Sequence, residues 1–237
     1  VAPVANISDI FAMYSLLYAS GQLTRFSTKI LTYNGFSSNF YKQMTVSKNQ
    51  FYISPEDYLE GERVSPIKHE YRRGHVYAMV GAKKPHIVIA NNLISLFVNH
   101  LDNSPCLVLN SDIKVRLEAA NCYYYPDVAV TCDSRDTNST EDFISYPVLV
   151  IEVLSPSTAA FDRGEKFADY QTSPSLQEYV LINQSQMKVE CFRRTESGSW
   201  VSQSYAQGEE VEFASIDFRC DIVSIYRKVP GLGNALG

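Results

Sequence analysis

The chain contains the segment Pro147-Val-Leu-Val-Ile-Glu152-Val-Leu-Ser155, in which a single carboxylate interrupts an apolar run. Six of the seven residues from Val148 to Leu154 are apolar, which is typical of a strand that is covered on both faces of a sheet. An ionised glutamate in such a strand loses its hydration, so it needs a cation or hydrogen-bond donors in exchange. The segment therefore predicts a buried central strand and, at Glu152, an acid with a specific partner.

A second carboxylate begins a similar segment upstream, Tyr125-Pro126-Asp127-Val-Ala-Val-Thr131. Alternate side chains of a strand share one face, so Asp127 and Glu152 converge at one edge if their strands pair in the right register. Two carboxylates on neighbouring strands suit a Mg²⁺ or Mn²⁺ ion, and this pair predicts metal-assisted chemistry. Two alternatives remain open: Glu152 pairs with a buried Arg or Lys, and Asp127 merely ends a loop.

The overall composition is that of an ordinary globular protein. Of the 237 residues, 45% are hydrophobic and 20% are charged, which allows one large domain or a domain with an appendage. The 16 Tyr and 12 Phe favour a strand-rich or α+β architecture. The net charge of −5 argues against a dedicated electrostatic nucleic-acid binder, but it is compatible with an enzyme that meets phosphates through a bound cation.

The cysteines and the apolar segments indicate a soluble protein, which we expect in the cytoplasm. The five cysteines form no Cys-x-x-Cys pair, which favours reduced, partly buried thiols and argues against a zinc site. The longest apolar stretch, residues 10–19, is too short to span a bilayer, and no basic residue precedes it as in a signal peptide. We therefore expect no membrane partner.

Residues 1–43 differ in composition from the rest of the chain. They contain three basic residues and one acid, together with many Ser, Tyr and Asn. We expect this segment to be an appendage that is loosely ordered or non-native, and a translation start at Met44 is one explanation for it. The division that follows is an appendage at 1–43, one domain at 44–229 and a tail at 230–237.

From Met44 onward, helix and strand signals follow each other closely. Ser54-Pro-Glu-Asp57 is a helix-capping pattern, the turn Arg72-Arg73-Gly74 indicates a hairpin, and Pro85–Leu101 has helical spacing. A second capping box, Asp162-Arg-Gly-Glu165, predicts a helix that ends before Pro174. Strands are predicted at 106–109, 113–117, 127–131, 148–154, 178–183, 187–193, 200–205 and 210–213. This order predicts an α+β fold around one central mixed sheet.

A lysine and a tyrosine follow the Glu152 strand on the predicted helix. Lys166 and Tyr170 are four residues apart, so they point the same way. A lysine aimed at the carboxylates could orient an attacking water or stabilise a pentacoordinate phosphate, and Tyr170 could contact substrate beside it. The alternative is a solvated helix lysine near Asp162 or Asp169, which the pattern alone favours.

Four further residues are candidates for the site. Glu70 could be a third metal ligand or an ordinary charge at a strand edge. His86, near a helix start, could contact substrate or simply be exposed. Arg72 and Arg73, with the lysines at 83 and 84, could form a phosphate-facing patch or a solvated charge cluster.

Seven short blocks occur in one order along the chain and carry a family resemblance. They are Ile53-Ser-Pro-Glu-Asp-Tyr58, His69-Glu-Tyr with Gly74-His-Val-Tyr77, the His86 helix, Tyr125-Pro-Asp-Val128, Val150-Ile-Glu-Val-Leu-Ser-Pro-Ser-Thr158, Asp162…Lys166…Tyr170 and Glu178-Tyr-Val-Leu-Ile182. Together they resemble the Uma2 family of bacterial restriction-endonuclease-like proteins. The resemblance extends over residues 44–229 and leaves out residues 1–43.

The resemblance implies a PD-(D/E)xK nuclease fold, with Asp127 and Glu152 as metal-binding acids and Glu70 as the acid on the N-terminal side of the core. In the general superfamily pattern a lysine stands two residues after the second acid, where this chain has Leu154. The Uma2-like pattern places the lysine on the following helix, which matches Lys166. The implied activity is Mg²⁺- or Mn²⁺-dependent hydrolysis of DNA phosphodiester bonds, and the fold's usual double-strand chemistry implies a homodimer.

Two other functions compete with the nuclease. The first is a catalytically inactive nucleic-acid- or protein-binding module that keeps the fold, which Leu154 and the acidic composition favour. The second is a structural or oligomerisation protein whose acids are satisfied internally. An intact set of acids argues against the second, because unpaired buried acids cost stability.

Overall fold

A computed structural model of the chain describes residues 52–232. The predicted appendage at 1–43 therefore lies outside the described residues, as does most of the predicted C-terminal tail. The described part divides into two compact units, one reaching Met79 and the other beginning at Val80.

The first unit consists of a capped helix followed by a hairpin. Helix α1 spans Pro55–Val64, strand β1 spans His69–Arg72 and strand β2 spans His75–Ala78. The Oγ of Ser54 accepts a hydrogen bond from the Asp57 N–H at 3.1 Å, as the capping pattern predicts. Arg73 and Gly74 form the turn with φ values of 51° and 91°, a conformation that glycine adopts without steric cost. The predicted helix start and hairpin are both confirmed.

The second unit contains one long helix and most of the strands. Helix α2 spans Lys84–Leu101, close to its predicted bounds. The strands are β3 Leu107–Asn110, β4 Lys114–Leu117, β5 Cys122–Tyr124, β6 Val128–Thr131, β7 Phe143–Ile144, β8 Leu149–Leu154, β9 Glu178–Asn183, β10 Lys188–Arg194, β11 Trp200–Ala206, β12 Glu210–Phe213 and β13 Phe218–Asp221. The short helices are α3 Ser134–Thr137, α4 Ala159–Phe161, α5 Phe167–Tyr170 and α6 Ile222–Ile225.

A six-stranded mixed sheet forms the centre of this unit, in the order β11-β10-β9-β8-β6-β3. Strands β8 and β9 are parallel, whereas the other neighbouring pairs are antiparallel. All six residues of β8 are buried, as its apolar run predicts. The α+β class with a central mixed sheet is thus confirmed.

Both faces of the central sheet are covered. Ile89, Leu93 and Phe97 of α2 pack with Ile151 and Val153 of β8 on one face. On the other face Val150 and Leu154 pack in a second core with the rings of Tyr124, Tyr170 and Tyr179. Strands β5, β4 and β7 adjoin one another in a second sheet, and β12 pairs with β13; strand order along the chain did not predict these additional sheets.

The helical segment after β8 begins earlier than its capping box predicts. The Ala159 N–H donates to the Ser155 carbonyl at 2.9 Å, so the first turn is closed before Asp162 is reached. Asp162 has helical φ and ψ of −61° and −37° and lies in a π-helical turn, Asp162–Lys166, that joins α4 to α5. The prediction that Asp162 caps this helix is wrong, because a preceding turn already supplies helical partners; the predicted end before Pro174 is confirmed.

Two of the five cysteines form a disulfide. In the β3–β6 ladder Leu107 lies opposite Thr131, so Cys106 and Cys132 face each other one step beyond, with Cα atoms 4.0 Å apart. Cys122, Cys191 and Cys220 are free thiols. The prediction that all five are reduced is wrong for Cys106 and Cys132, because strand pairing juxtaposes them.

Removing this disulfide should destabilise the protein. The bridge closes a loop between cysteines 26 positions apart, and a loop of that size contributes about 3 kcal/mol to the free energy of unfolding. We expect Cys106→Ser/Cys132→Ser to lose that amount in urea unfolding, and dithiothreitol to have the same effect on the wild type. The double variant should not respond to dithiothreitol. An equal response of both proteins, or titration of five free thiols in the unfolded wild type, would contradict the bridge.

Candidate active site

The two predicted acids belong to neighbouring strands of the central sheet. Val128, the first residue of β6, lies opposite Ile151 of β8; Asp127 directly precedes Val128, and Glu152 directly follows Ile151. Neighbours of Glu152 along β8, Val150 and Leu154, belong to the aromatic core on the second face of the sheet. The two acids are therefore neighbours across the β6–β8 pair, Asp127 directly before β6 and Glu152 within β8.

Asp127 is oriented by two protein groups. Its Oδ2 accepts a hydrogen bond from the Val153 N–H at 2.7 Å, and its Oδ1 lies 2.7 Å from Nε2 of His86. His86 is in the first turn of α2, and its side chain is 15% exposed. The histidine is therefore neither fully exposed nor remote, because its ring joins the helix start to the acid at the end of the neighbouring strand.

Lys166 lies next to Glu152 in the interior. Its Nζ is 2.8 Å from Glu152 Oε1, and the two side chains are 5% and 6% exposed. A second acid, Asp162, has its Oδ1 4.0 Å from the same Nζ. The interpretation of Lys166 as a solvated helix lysine is therefore wrong, and the alternative that Glu152 pairs with a buried lysine describes the structure.

A π-helical turn aims Lys166 at the sheet. Such turns insert an extra residue into a helix and occur often at functional sites. The Tyr179 hydroxyl donates to the Asp162 carbonyl at 2.9 Å, and the Phe167 ring stacks on Tyr179 with centroids 4.8 Å apart. These contacts fix both ends of the turn against β9. Sequence reasoning found Lys166 but had no signal for the turn that directs it.

Tyr124, which sequence reasoning missed, lies beneath the lysine. Its ring centroid is 5.2 Å from Lys166 Nζ, a cation–π distance. Its hydroxyl donates to Asp169 Oδ2 at 2.6 Å. Burial first, and then this hydrogen bond, raise the pKa of Tyr124 far above its ordinary value, so the phenol stays neutral. The signal in the sequence was a tyrosine run directly before Pro126-Asp127.

Two further groups of predicted contacts lie inside the core or at an exposed helix start. Tyr170 is completely buried, with its ring 5.6 Å from Tyr124 and 5.4 Å from Tyr179. That placement gives it a packing role, and its contact with substrate stays a prediction. The lysines at 83 and 84 are exposed at the start of α2.

Three predicted residues belong to the first unit. Glu70 lies on β1 opposite Tyr77, and Arg72 lies opposite His75. Arg73 occupies the turn with positive φ. Their roles as metal ligand and phosphate contacts stay predictions.

The two carboxylates fit magnesium in number and in chemistry. Within residues 52–232, no three His, Cys, Asp or Glu side chains are grouped so as to hold a metal ion. Mg²⁺ nevertheless binds through one or two carboxylates and completes its octahedron with water and substrate phosphates. Each carboxylate oxygen of Asp127 and Glu152 has two lone pairs, so the donors already present leave room for a cation.

Comparison with known proteins identifies the family of the chain. The model of the Uma2 family, described as "Putative restriction endonuclease", matches residues 55–222. The chain belongs to the Uma2 family. Two similar proteins from Synechocystis sp. are named "Uncharacterized protein slr1290" and "Uncharacterized protein sll1609". The first is 44% identical over 175 residues, covering 74% of this chain and 92% of the relative; the second is 30% identical over 164 residues, covering 68% and 93%.

A solved structure shares the fold of this Uma2 protein. It is the crystal structure of "a putative nuclease belonging to DUF820" from Anabaena variabilis, with a TM-score of 0.61 and 15% identity. The match covers 73% of this chain and 97% of that one. The predicted restriction-endonuclease-like fold is thus confirmed. No helix in the described part of the chain is long and apolar enough to cross a membrane.

Replacing Tyr124 should show the contribution of its buried hydroxyl. Tyr124→Phe removes the 2.6 Å donor to Asp169 and should lower the free energy of unfolding by about 1–3 kcal/mol at neutral pH. Because the raised pKa keeps the native phenol protonated, unfolding releases its proton only above a pH of about 10. Stability should therefore fall as the pH rises past that value, by about 1.4 kcal/mol per pH unit for each such tyrosine.

Urea unfolding between neutral pH and pH 11 measures both effects. The alkaline slope should be shallower in Tyr124→Phe, with a residual slope from Tyr179 and Tyr226, whose pKa values are also raised by burial. Tyr77→Phe, at an exposed position, is the control. Its free energy of unfolding and its alkaline slope should both equal those of the wild type. An unchanged alkaline slope in Tyr124→Phe would exclude this linkage.

Proposed function

We propose that this Uma2 protein is a metal-dependent endonuclease that hydrolyses DNA phosphodiester bonds. The observation that carries the proposal is a buried lysine 2.8 Å from Glu152, with the Asp127 carboxylate hydrogen-bonded to the next residue of the same strand, Val153. Membership of the Uma2 family and the nuclease-like fold support it. A carboxylate pair with an adjacent cation is a constellation suited to phosphoryl transfer.

In this proposal Asp127 and Glu152 hold Mg²⁺ or Mn²⁺. When bound, the metal lowers the pKa of a coordinated water and neutralises charge on the scissile phosphate. The Val153 N–H and the His86 ring hold the Asp127 carboxylate in one orientation, the task of groups that support a metal ligand. If the Val153 N–H or the His86 ring is displaced, metal binding should weaken although Asp127 itself is still present as a ligand.

In this proposal Lys166 supplies a positive charge beside Glu152. Its ammonium is a compact point charge with three donors, and its proposed role is to stabilise the negative charge that develops on the phosphoryl oxygens. Leu154, at the position where the superfamily pattern has a lysine, is buried in the aromatic core. The lysine from the π-helical turn therefore takes over a role that the strand does not provide.

One observation favours a second candidate, a catalytically inactive binding module. Both oxygens of Asp127 already contact protein groups, and Glu152 is already paired with Lys166. A fold that kept these acids for internal pairing would still present its surface to nucleic acid or to protein. Metal binding and cleavage separate the two functions.

The proposed metal site predicts stabilisation by Mg²⁺ or Mn²⁺. At a free-metal concentration of about 100 times the dissociation constant, binding to the native state alone should add about 2.7 kcal/mol to the free energy of unfolding. Glu152→Ala should lose this response in a thermal-shift titration. Glu210→Ala, an exposed carboxylate on β12, should keep it. A wild type that responds to neither metal would exclude the site.

The proposed catalytic role of Lys166 predicts loss of cleavage when its ammonium is removed. We expect Mn²⁺-dependent cleavage of plasmid or single-stranded DNA, and a decrease of about 10²–10³-fold in Lys166→Ala, the size seen when one stabilising donor is removed. Lys188→Ala, whose side chain is 47% exposed, is the control. Equal cleavage by Asp127→Ala would refute the assignment, and metal binding without any wild-type cleavage would favour the binding module.

A further inference from the structure

Lys166 has two acids within reach rather than one. Its Nζ lies 2.8 Å from Glu152 on the strand and 4.0 Å from Asp162 in its own π-helical turn. All three side chains are 5–6% exposed. The ammonium is thus in close contact with the proposed metal ligand, and a second buried carboxylate stands four residues before it in the chain.

This arrangement places the lysine in competition with a metal. A divalent cation bound to Glu152 would bring two positive charges next to a buried ammonium, and repulsion over such distances is strong where water does not screen it. The lysine therefore lowers the metal affinity of Glu152 as long as it stays where the structure has it. A second carboxylate that accepts the ammonium would reduce this loss of metal affinity.

We propose that Asp162 is this acceptor: Lys166 transfers its ion pair from Glu152 to Asp162 when a divalent cation binds. The inference rests on the proposed function in one respect, namely that Glu152 is a metal ligand. Asp162 is then a positioning residue, which acts on the metal site through Lys166. The face of the Tyr124 ring lies 5.2 Å from the Lys166 ammonium. In this proposal the ring stabilises the ammonium whether it is paired with Glu152 or with Asp162.

The other buried acid of this helical segment, Asp169, does not fit the same role. Asp169 Oδ2 accepts from the Tyr124 hydroxyl at 2.6 Å and from Cys122 Sγ at 3.6 Å. It is 2% exposed, comparable to Asp162, but neutral donors hold it. Asp169→Asn is therefore a matched control, because it removes a buried negative charge from the same segment without touching the acceptor of the lysine.

Two opposite effects on metal affinity follow from the transfer. Removing the competing cation in Lys166→Met should tighten Mn²⁺ binding, and removing the acceptor in Asp162→Asn should weaken it, each by on the order of tenfold. Because Asp162 acts through the lysine, Asp162→Asn should have no further effect in the Lys166→Met background. A purely electrostatic effect of Asp162 on the metal would instead be additive.

Calorimetric titration with Mn²⁺ in the absence of DNA measures these affinities, so the result does not depend on cleavage. The proteins are wild type, the two single variants, their double variant and Asp169→Asn, each checked for folding by circular dichroism. Asp162→Glu keeps a carboxylate and should bind Mn²⁺ more tightly than Asp162→Asn. If Asp162→Asn does not fold, Asp162→Ser replaces it.

The outcomes are distinct. Wild-type affinity in Lys166→Met would overturn the competition and leave the proposed metal site standing. Additive effects of the two substitutions, or equal weakening by Asp169→Asn, would overturn the role of Asp162. If neither the wild type nor Lys166→Met binds Mn²⁺, the proposed function fails and the inference fails with it.

Discussion

The arrangement of the site depends on one buried ion pair, Lys166 with Glu152. Removing two charges from water costs more than their attraction returns unless the geometry is good, so such a pair contributes little to stability by itself. The geometry here is held from several sides: the Tyr179 hydroxyl bonds to the Asp162 carbonyl, and the Tyr124 ring lies under the ammonium. Aromatic packing between the sheet and the helical segment therefore serves to keep a charged lysine in the interior.

A buried glutamate in this sheet does not by itself indicate function. Glu178 on β9 has no exposed surface, and its carboxylate accepts from Arg193 Nε at 2.8 Å and from the N–H and Oγ of Ser215 at 3.1 and 2.9 Å. Those donors tie strands β9 and β10 to the 3₁₀ turn Ala214–Ile216, which is a structural role. Glu152 differs in two respects: it lies near the carboxyl end of its strand, and a second acid, Asp127, directly precedes the neighbouring strand and accepts from the Val153 N–H.

Periodicity predicted the parts of the molecule that local sequence controls. The apolar run around Glu152 and the helical spacing of Pro85–Leu101 each correspond to one element of the structure. The π-helical turn at Asp162–Lys166 was not predictable, because its residues satisfy a capping pattern equally well and its contact with the Tyr179 hydroxyl is set by the tertiary fold. Strand register alone brings Cys106 and Cys132 together, and their spacing carries no signal of it.

The position of the lysine changes what the site can do. A lysine two residues after Glu152 would point to the same face of β8, and the strand would fix its distance to the acid. In this chain Leu154 occupies that position and fills the aromatic core, so the cation comes from a separate helical segment. A lysine on such a segment is also close to other residues of that segment: Lys166 Nζ lies 4.0 Å from Asp162 Oδ1. The departure from the superfamily pattern therefore gives the lysine a second partner, which a strand-borne lysine would not acquire from its own segment.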